Sequence, residues 1–249
     1  MTDQTLSGRI VLVTGASRGI GYHAALEAGR QGAQVIAVAR TVGGLEELDD
    51  EIQKAGGLPA TLVPQDLRDG DAIDRLGAAI FERWGRLDGL VGSAAMQSTL
   101  SPLAHVDPKE FDRTITLNVT ANYRLIRSMD LLLRQSASGR ALFLTSPVAS
   151  ATLPYWSAFA ASKAALDMLV KTYAVEIRGT AVRVNLMQPR PVRSALRAKA
   201  FPGEDPDTLP SPATVAADIV RLISPANDLN GHLFDQVSGE MRPVVTYPA

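Results

Sequence analysis

The sequence predicts an α/β fold in which a doubly wound parallel sheet of about seven strands carries helices on both faces. Short apolar runs of strand length alternate with helical stretches from one end of the chain to the other, as in βαβ units. A glycine-rich turn joins the first apolar run to the first helical stretch. No break in composition divides the 249 residues, so one domain is expected, with residues 1–8 and 236–249 as peripheral tails.

The predicted strands are continuous apolar runs, which is typical of strands buried on both faces of a sheet. They are Arg9–Thr14, Gln34–Ala39, Leu58–Gln65, Leu87–Ser93, Arg140–Thr145, Ala181–Met187 and His232–Asp235. The residues after 236 contain glycine and two prolines, and we expect them to be extended or loosely held.

The predicted helices begin and end at recognisable capping signals. The longest has Asp107 as N-cap, Pro108 in the first helical position and Glu110 in the place that completes a capping box. The predicted spans are Ile20–Gln31, Leu45–Ala55, Asp71–Trp84, Pro108–Ala137, Phe159–Arg178, a short Arg193–Phe201 and Thr214–Ile223.

Composition excludes several classes of function. Hydrophobic residues make up 46% of the chain, enough for one large core, and the formal net charge is −1 without a basic block. Neither nucleic acid nor an anionic membrane is therefore an expected partner. The chain has no cysteine, which rules out disulfides and thiolate chemistry, and no His/Asp/Glu cluster has metal-ligand spacing. With no signal peptide or membrane-length apolar run, we expect a soluble cytoplasmic protein that acts on a small molecule.

The glycine turn is the first candidate binding site. It has the spacing Gly-x-x-x-Gly-x-Gly over Gly15–Gly21 and lies between the first strand and the first helix. Glycines let the backbone approach a pyrophosphate there, and a helix N-terminus offers free N–H groups to it. Three glycines can also be an ordinary tight turn, but their place in the βα unit favours nucleotide binding and a Rossmann-like fold.

Five motifs in the same order resemble those of the short-chain dehydrogenases/reductases, over roughly residues 8–235. They are Thr14–Gly21, Asp66-Leu67 after the third strand, Asn118 in the long helix, Ser146 after the fifth strand, and Ser162-Lys163. The resemblance implies an NAD(P)(H)-dependent oxidoreductase that transfers a hydride to or from a small carbonyl or alcohol. It also implies a homodimer or homotetramer assembled through the long helix and the helix after Phe159.

The charges near the second strand favour NADP(H) over NAD(H). An NAD site usually has an acidic residue at the end of that strand, whereas this chain has Arg40-Thr41, with Arg18 in the glycine turn. Guanidinium groups suit a 2′-phosphate, although both arginines can equally be solvated. Asp66 is expected to bind the adenine amino group or, alternatively, to cap a turn. The predicted cofactor-binding residues are Gly15, Ser17, Arg18, Gly19, Ile20, Gly21, Arg40, Thr41, Asp66, Leu67, Ala94, Lys163, Pro189, Val192 and Ser194.

The resemblance also implies a reaction centre of four residues. In the family a tyrosine donates or removes a proton, a lysine four residues on lowers its pKa and binds the nicotinamide ribose, a serine orients the substrate oxygen, and an asparagine supports a relay water. Lys163, Ser146 and Asn118 match by position, but Phe159 occupies the tyrosine position. General acid/base catalysis typically contributes about 10²–10⁴-fold, so ordinary ketone reduction should be strongly impaired.

Two other loops depart from the family pattern. Gly92-Ser-Ala-Ala95 stands where Asn-Asn-Ala-Gly is common, and Pro189-Arg190 replaces Pro-Gly beside the expected nicotinamide site. Two hypotheses remain open: an oxidoreductase with an altered site, acting on a carbonyl or on a substrate such as an iminium that needs little protonation, or a cofactor-binding sensor or assembly subunit without appreciable turnover.

Two residues could replace the missing phenol, and one cluster of cations could select the substrate. Tyr155 is more simply an aromatic residue at the rim, and His105 more simply a solvated loop histidine. The cations Arg190, Arg193, Arg197 and Lys199 either favour an acidic substrate or form a solvated helix face. The sequence does not decide between these alternatives.

Overall fold

The computed structural model describes residues 5–245. They form an eight-stranded sheet in the order β3-β2-β1-β4-β5-β6-β7-β8, in which the first seven strands are parallel. The strands are β1 Ile10–Thr14, β2 Gln34–Ala39, β3 Thr61–Pro64, β4 Gly89–Gly92, β5 Arg140–Leu144, β6 Arg183–Gln188, β7 His232–Asp235 and β8 Glu240–Pro243. The doubly wound parallel sheet predicted from the alternating pattern is confirmed.

The helices are α1 Gly19–Arg30, α2 Val42–Lys54, α3 Gly70–Trp84, α4 Pro108–Ile115, α5 Ala121–Gln135, α6 Ser157–Glu176, α7 Ala195–Ala200 and α8 Ala213–Ile223. Alternate residues of β1 enter opposite cores: Ile10 and Leu12 pack under the face that carries α3, α5 and α6, while Val11 and Val13 pack under α1, α2 and α8. Two apolar layers therefore sandwich the sheet, as continuous apolar strands require.

The long helix predicted over Pro108–Ala137 is interrupted. One π-helical turn, Thr116–Thr120, separates α4 from α5 and has Asn118 at its centre. The Thr116 hydroxyl donates to the Asp112 carbonyl, and the Asn122 side chain donates to the Asn118 carbonyl. These side-chain bonds compete with the regular backbone ladder, which is how a helix accommodates an extra residue in one turn.

The capping of α4 is partly as predicted. Asp107 accepts from the Glu110 backbone N–H at 2.9 Å, as an N-cap does. The Glu110 carboxylate does not return to Asp107 to complete a capping box; it accepts from the Thr99 N–H at 2.8 Å. Glu110 therefore fastens the loop after β4 instead of the start of the helix.

The tail beyond residue 236 contains a strand that the sequence analysis missed. β8 pairs antiparallel with β7, from His232 opposite Pro243 to Asp235 opposite Glu240. Gly239 closes the hairpin at a positive φ of 73°. Proline argues against a central strand but is tolerated at a sheet edge, which is where β8 lies.

The N-terminal tail is also integrated into the fold from residue 5 onward. The Leu6 side chain is fully buried in the core beneath α1, and its backbone N–H donates to the Gln31 carbonyl at 3.1 Å. Residues 5–8 are therefore not peripheral. Residues 1–4 and 246–249, the rest of the predicted tails, lie outside the described range.

Replacing Leu6 with alanine should destabilise the protein by about 2–5 kcal/mol, because a buried leucine is removed from a packed core. Urea unfolding followed by circular dichroism measures the loss. Leu58→Ala is the matched control, since Leu58 is 51% exposed and its truncation should change the unfolding free energy by less than about 0.5 kcal/mol. Equal stabilities of Leu6→Ala and the unaltered chain would contradict the anchoring of the N-terminal segment.

Candidate cofactor and active site

The site forms at the carboxyl ends of β1 and β4, where the order of strands in the sheet reverses. A crevice opens at this point because the connections leave β1 and β4 toward opposite faces of the sheet. The Thr14 hydroxyl joins the two strand ends: it donates to the Val91 carbonyl and accepts from the backbone N–H groups of Ser93 and Ala94 at 3.1 and 3.2 Å. These bonds fix the loop after β4 against the glycine turn.

The three glycines of the turn are required by backbone conformation or by close packing. Gly15 and Gly19 have φ values of +70° and +60°, which favour glycine, and a Cβ on Gly21 would lie 2.4 Å from the Gly15 carbonyl oxygen. On the other side, a Cβ on Gly44 of α2 would lie 2.6 Å from the Ser17 oxygen. The backbone is therefore packed into a cradle at the start of α1, a helix whose N-cap, Arg18, makes no side-chain capping bond. Free N–H groups and the positive end of the helix dipole fit a pyrophosphate there.

A cavity of about 650 Å³ runs from the glycine turn past the ends of β4, β5 and β6. Every residue predicted to bind the cofactor lines it, as do Ser146, Phe159 and Lys163 of the predicted reaction centre. The structure thus brings together residues that are up to 179 positions apart, from Gly15 to Ser194. Ala95 and Arg190, the departures from the family pattern, also line the cavity.

One end of the cavity carries the charges expected around an adenosine 2′-phosphate. Arg18, Arg40 and Thr41 lie on its wall, and the Arg40 guanidinium is near enough to the Asp66 carboxylate to contribute to the lowering of its pKa. The Asp66 carboxylate accepts from the side chain and the backbone N–H of Arg68, and the Arg68 guanidinium holds the pKa of Asp66 below its usual range. Asp66 therefore does form the turn considered as an alternative, while still facing the cavity.

The other end carries the reaction centre, in which the Phe159 ring takes the place of a phenol. Phe159 and Lys163 face the same side of α6, with the Lys163 Nζ 5.7 Å from the centre of the ring. The Ser146 hydroxyl, two residues beyond β5, also faces the cavity and has no hydrogen-bond partner among the described residues. Of the predicted four, these three side chains share one wall.

Lys163 is a buried cation. Its side chain is 4% exposed and its Nζ donates to the Leu144 carbonyl at 2.7 Å. Burial lowers the pKa of Lys163 to about 8, and the Asp167 carboxylate one helical turn away opposes that shift. Burial raises the pKa of Asp167, and the neighbouring Thr145 hydroxyl and the Lys171 and Lys163 charges oppose that shift. The lysine therefore lies beside a half-buried carboxylate, in a place where its charge is costly to maintain.

Asn118 lies behind the cavity wall instead of on it. Its side-chain amide accepts from the Met96 N–H and donates to the Met96 carbonyl, at 2.9 and 3.0 Å, and donates to the Ser162 hydroxyl at 2.9 Å. The residue is fully buried. Asn118 thereby ties the loop after β4 to α6, and its part in a proton relay stays a prediction.

An aromatic wall and a short helix close the reaction end. The rings of Trp156 and Phe159 meet edge to face at 6.1 Å, and Trp156 contacts Phe201 at 5.6 Å. The Arg197 guanidinium stacks on the outer side of Phe201 at 3.7 Å and binds Glu204 through two 2.6 Å hydrogen bonds. These contacts hold α7 over the cavity.

Three of the four cations in this segment bind groups of the chain, although Arg193 and Lys199 remain exposed to solvent. Arg193 pairs with Asp207 at 3.1 Å, Arg197 pairs with Glu204, and Lys199 Nζ donates to the Gln97 carbonyl at 2.7 Å. Arg190 is exposed, lines the cavity and has no ion-pair partner within residues 5–245. Arg190, Arg193 and Arg197 all line the cavity, but Arg193 and Arg197 are paired with carboxylates, so Arg190 is the one of these three without an ion-pair partner within residues 5–245.

Neither candidate for replacing the phenol lines the cavity. Tyr155 is 57% exposed, with a positive φ of 72°, and its backbone carbonyl accepts from Ser101. His105 is exposed in a single 3₁₀ turn. Within the described part of the chain, no group of three or more acidic or histidine side chains could hold a metal ion, and no helix has both the length and the apolar character to cross a membrane.

Comparison with known proteins decides the family. The family model for short chain dehydrogenases matches residues 9–205, most of the chain. The chain belongs to the short chain dehydrogenase family. It is 34% identical over 212 residues to the uncharacterized oxidoreductase YciK of Escherichia coli strain K12, covering 84% of each chain.

Solved structures of short chain dehydrogenases superpose on nearly the whole fold. One from Shigella flexneri 2a, complexed with NADP, matches with a TM-score of 0.90 and 32% identity and covers 94% of this chain and 99% of its own. Another from Escherichia coli CFT073, complexed with NADPH, matches with a TM-score of 0.89, the same identity and the same coverage. The predicted family, its Rossmann-like sheet and its class as an NAD(P)(H)-dependent oxidoreductase are therefore confirmed.

Several residues that shape the site were not found from the sequence. Thr14 was noted as part of the turn, but its link to Ser93 and Ala94 depends on a contact about 80 residues away. Gly44 was placed before α2, although the pair Gly43-Gly44 at a helix start was a visible sign of close packing. The contact of Trp156 with Phe201 joins two loops and left no pattern in the sequence.

The burial of Lys163 predicts a pH dependence of stability. The unfolded chain holds the lysine proton up to a pKa near 10.5, whereas the folded chain releases it near 8, so between these values the unfolded state binds more protons. This group therefore makes folding more favourable as pH rises from 8 to 10.5, by about 3 kcal/mol over the whole window. Below pH 8 its contribution is constant and unfavourable.

Urea unfolding of the unaltered chain and of Lys163→Met, at pH 7.5 and pH 10, measures this term. The unaltered chain should gain about 2 kcal/mol or more over the variant between the two pH values. Lys109→Met, at an exposed lysine on α4, is the control and should follow the unaltered chain. A constant difference between Lys163→Met and the unaltered chain would show that the lysine is not desolvated.

Proposed function

We propose that this chain is an NADP(H)-dependent oxidoreductase whose site binds the cofactor as its family does but lacks the usual proton donor. The observation that carries the proposal is the single cavity wall shared by the glycine cradle, Arg18, Arg40, Ser146 and Lys163, with Phe159 at the centre of the reaction end. Bound NADPH supplies a hydride. The chain's own residues must do the rest.

The cofactor preference rests on charge. Neither Arg18 nor Arg40 makes a side-chain hydrogen bond or ion pair among the described residues, and Arg40 interacts with Asp66 by charge alone, so both guanidinium groups can turn toward a 2′-phosphate. The carboxylate that would favour a 2′-hydroxyl is absent from the end of β2, where Arg40 follows Ala39. Relatives whose structures hold NADP or NADPH support the same choice.

The reaction end can orient and stabilise a substrate better than it can protonate one. Ser146 offers a free hydroxyl to a substrate oxygen, and Lys163 offers positive charge beside it. Trp156, Phe159 and Phe201 exclude water from this end of the cavity. Because Phe159 has no exchangeable proton, the step that loses most is protonation of an alkoxide.

The oxidoreductase hypothesis is preferred over the sensor or assembly subunit. The relatives that match include proteins named as reductases and dehydrogenases, such as versicolorin reductase from Emericella nidulans, 32% identical over 191 residues. No named relative supports a sensor. A homodimer or homotetramer in the cytoplasm, acting on a small molecule, completes the proposal, and size-exclusion chromatography with light scattering tests the assembly.

Replacing Arg40 with alanine should weaken NADPH binding by about tenfold or more and leave NADH binding nearly unchanged, because a charge-assisted bond to the 2′-phosphate is worth about 1.5–3 kcal/mol. Titration of cofactor fluorescence measures both affinities. Arg30→Ala, at an exposed arginine near the end of α1, is the control and should bind both cofactors as the unaltered chain does. Equal losses for NADPH and NADH would refute recognition of the phosphate by Arg40.

Restoring the phenol should restore ketone reduction. Phe159→Tyr is expected to raise the rate of carbonyl reduction by about 10²-fold, since a positioned acid adds 10²–10⁴-fold. The rate of NADPH oxidation with a panel of ketones is the measurement. Phe81→Tyr, at an exposed position on α3, serves as the control for an added hydroxyl elsewhere. If the unaltered chain already reduces ketones as fast as Phe159→Tyr, the missing phenol does not limit this site.

A further inference from the structure

The cavity lining contains almost no side chain that can donate a proton to a substrate. Of its described lining residues with titratable side chains, most are arginines, which keep their protons in proteins. The Asp66 carboxylate is paired with Arg68, which keeps its pKa low, so it is ionised at neutral pH. Lys163 alone can release a proton near neutral pH, and its Nζ is already bonded to the Leu144 carbonyl. A substrate that turns into a strongly basic alkoxide is poorly served here.

The charged side chains that line the reaction end are cations; the Asp167 carboxylate, which interacts with Lys163, does not line the cavity. Lys163 lies behind Phe159, and Arg190 faces the cavity without an ion-pair partner among residues 5–245. Asp66, at the far end, is the only carboxylate among the described lining residues. A group that gains negative charge during reaction is stabilised by this arrangement, and a cationic group is repelled.

The walls of this end are apolar. They are formed by Leu117, Val148, Leu153, Trp156, Phe159 and Phe201. The contacts of Trp156 with both phenylalanines make a continuous aromatic surface. Such walls match an apolar substrate, including one with an aromatic ring that meets them edge to face.

We propose that this site reduces the carbon–carbon double bond of a planar, apolar α,β-unsaturated carbonyl compound. The inference rests on the proposed function and names its substrate class. The β-carbon gains a C–H bond from the hydride of NADPH, the π bond breaks, and its electron pair moves through the α-carbon to the carbonyl oxygen. NADP⁺ remains, and a proton from water completes the α-carbon.

An α,β-unsaturated carbonyl compound suits this site better than a simple ketone or an iminium ion. The enolate spreads its charge over oxygen and carbon, so its oxygen is a much weaker base than an alkoxide oxygen. Hydride transfer can therefore be completed without the missing phenol, and water protonates the α-carbon afterwards. The enolate oxygen can accept from the Ser146 hydroxyl beside the positive charge of Lys163. An iminium needs no proton either, but it enters as a cation among cations, and its reduction to a neutral amine leaves the positive wall unused.

The first test compares three substrates with deuterium-labelled NADPH. They are 4-phenylbut-3-en-2-one, the saturated ketone 4-phenylbutan-2-one and an N-methyl-dihydroisoquinolinium. The enone should be consumed at least tenfold faster than either, and deuterium should appear on the carbon that bears the phenyl ring. Deuterium at the carbonyl carbon, faster reduction of the iminium, or no reduction of the enone would overturn the inference.

A second test measures how the site binds an enolate-like anion, without requiring catalysis. 4-Nitrophenol resembles the enolate when ionised, and its absorption near 400 nm reports ionisation. Bound in the presence of saturating NADP⁺, it should ionise at a pH lower by about one unit or more than in free solution. Ser146→Ala should weaken binding of the phenolate by about tenfold, the loss of one hydrogen bond to a charged group. Ser150→Ala, at an exposed serine outside the cavity, is the control.

The outcomes separate this inference from the proposed function. Failure to bind NADPH at millimolar concentration removes both. If the chain binds NADPH and reduces ketones as fast as enones, the proposed oxidoreductase function stands and the enone inference is wrong. The enone inference is also wrong if 4-nitrophenol binds in its neutral form, or if it binds Ser146→Ala as tightly as the unaltered chain.

Discussion

The position of the whole site depends on the hydrogen bonds of the Thr14 hydroxyl, which fix the loop after β4 against the glycine turn. A parallel sheet whose strand order reverses between β1 and β4 has a crevice at that point, but its width depends on how the two loops are held. Thr14 bonds to Val91, Ser93 and Ala94, so the loop after β4 passes directly against the glycine turn. A Cβ on Gly15 would lie 3.0 Å from the Ala94 Cα, and this contact leaves no freedom between the loops.

From that fixed point the rest of the site is built outward. Asn118 continues the chain of contacts, because its amide bonds to Met96 of the same loop and to Ser162 of α6. The π turn around Asn118 permits this, since it widens the helix where the amide must reach two partners. Lys163 follows Ser162, and its Nζ is held at the end of β5. Cofactor cradle and reaction wall are thus two ends of one rigid network.

Much of the fold could be predicted because its signals are local. Continuous apolar runs identify buried strands, and glycine turns and caps mark the helices. β8 could not be predicted from its own residues, because Glu-Met-Arg-Pro shows no strand pattern and its extended form depends on pairing with β7. The burial of Leu6 was hidden for a similar reason: a single leucine in a short polar segment has no periodicity.

The sequence predicts which residues form the site, but not which of them contact one another. Positions such as Ser146 and Lys163 were found because motif spacing places them at strand and helix ends that converge in this fold. The partners of the cations in and around α7 could not be predicted in this way. The contacts of Arg197 with Glu204 and of Lys199 with the Gln97 carbonyl form only once α7 packs over the cavity. Charge in a sequence does not reveal whether it faces solvent, a ligand or the chain itself.

The substitution at Phe159 changes chemistry without loosening this network. The ring keeps its contact with Trp156 and its place 5.7 Å from Lys163, so the shape of the wall does not depend on the absent hydroxyl. What is lost is one proton at one point of the cavity. Lys163 stays buried and contributes unfavourably to stability at neutral pH, because its bond to the Leu144 carbonyl and the attraction of Asp167 offset only part of the desolvation of its charge. A buried cation is worth that cost where negative charge must be stabilised, so the physical case for chemistry at this wall rests on the lysine, not on the missing phenol.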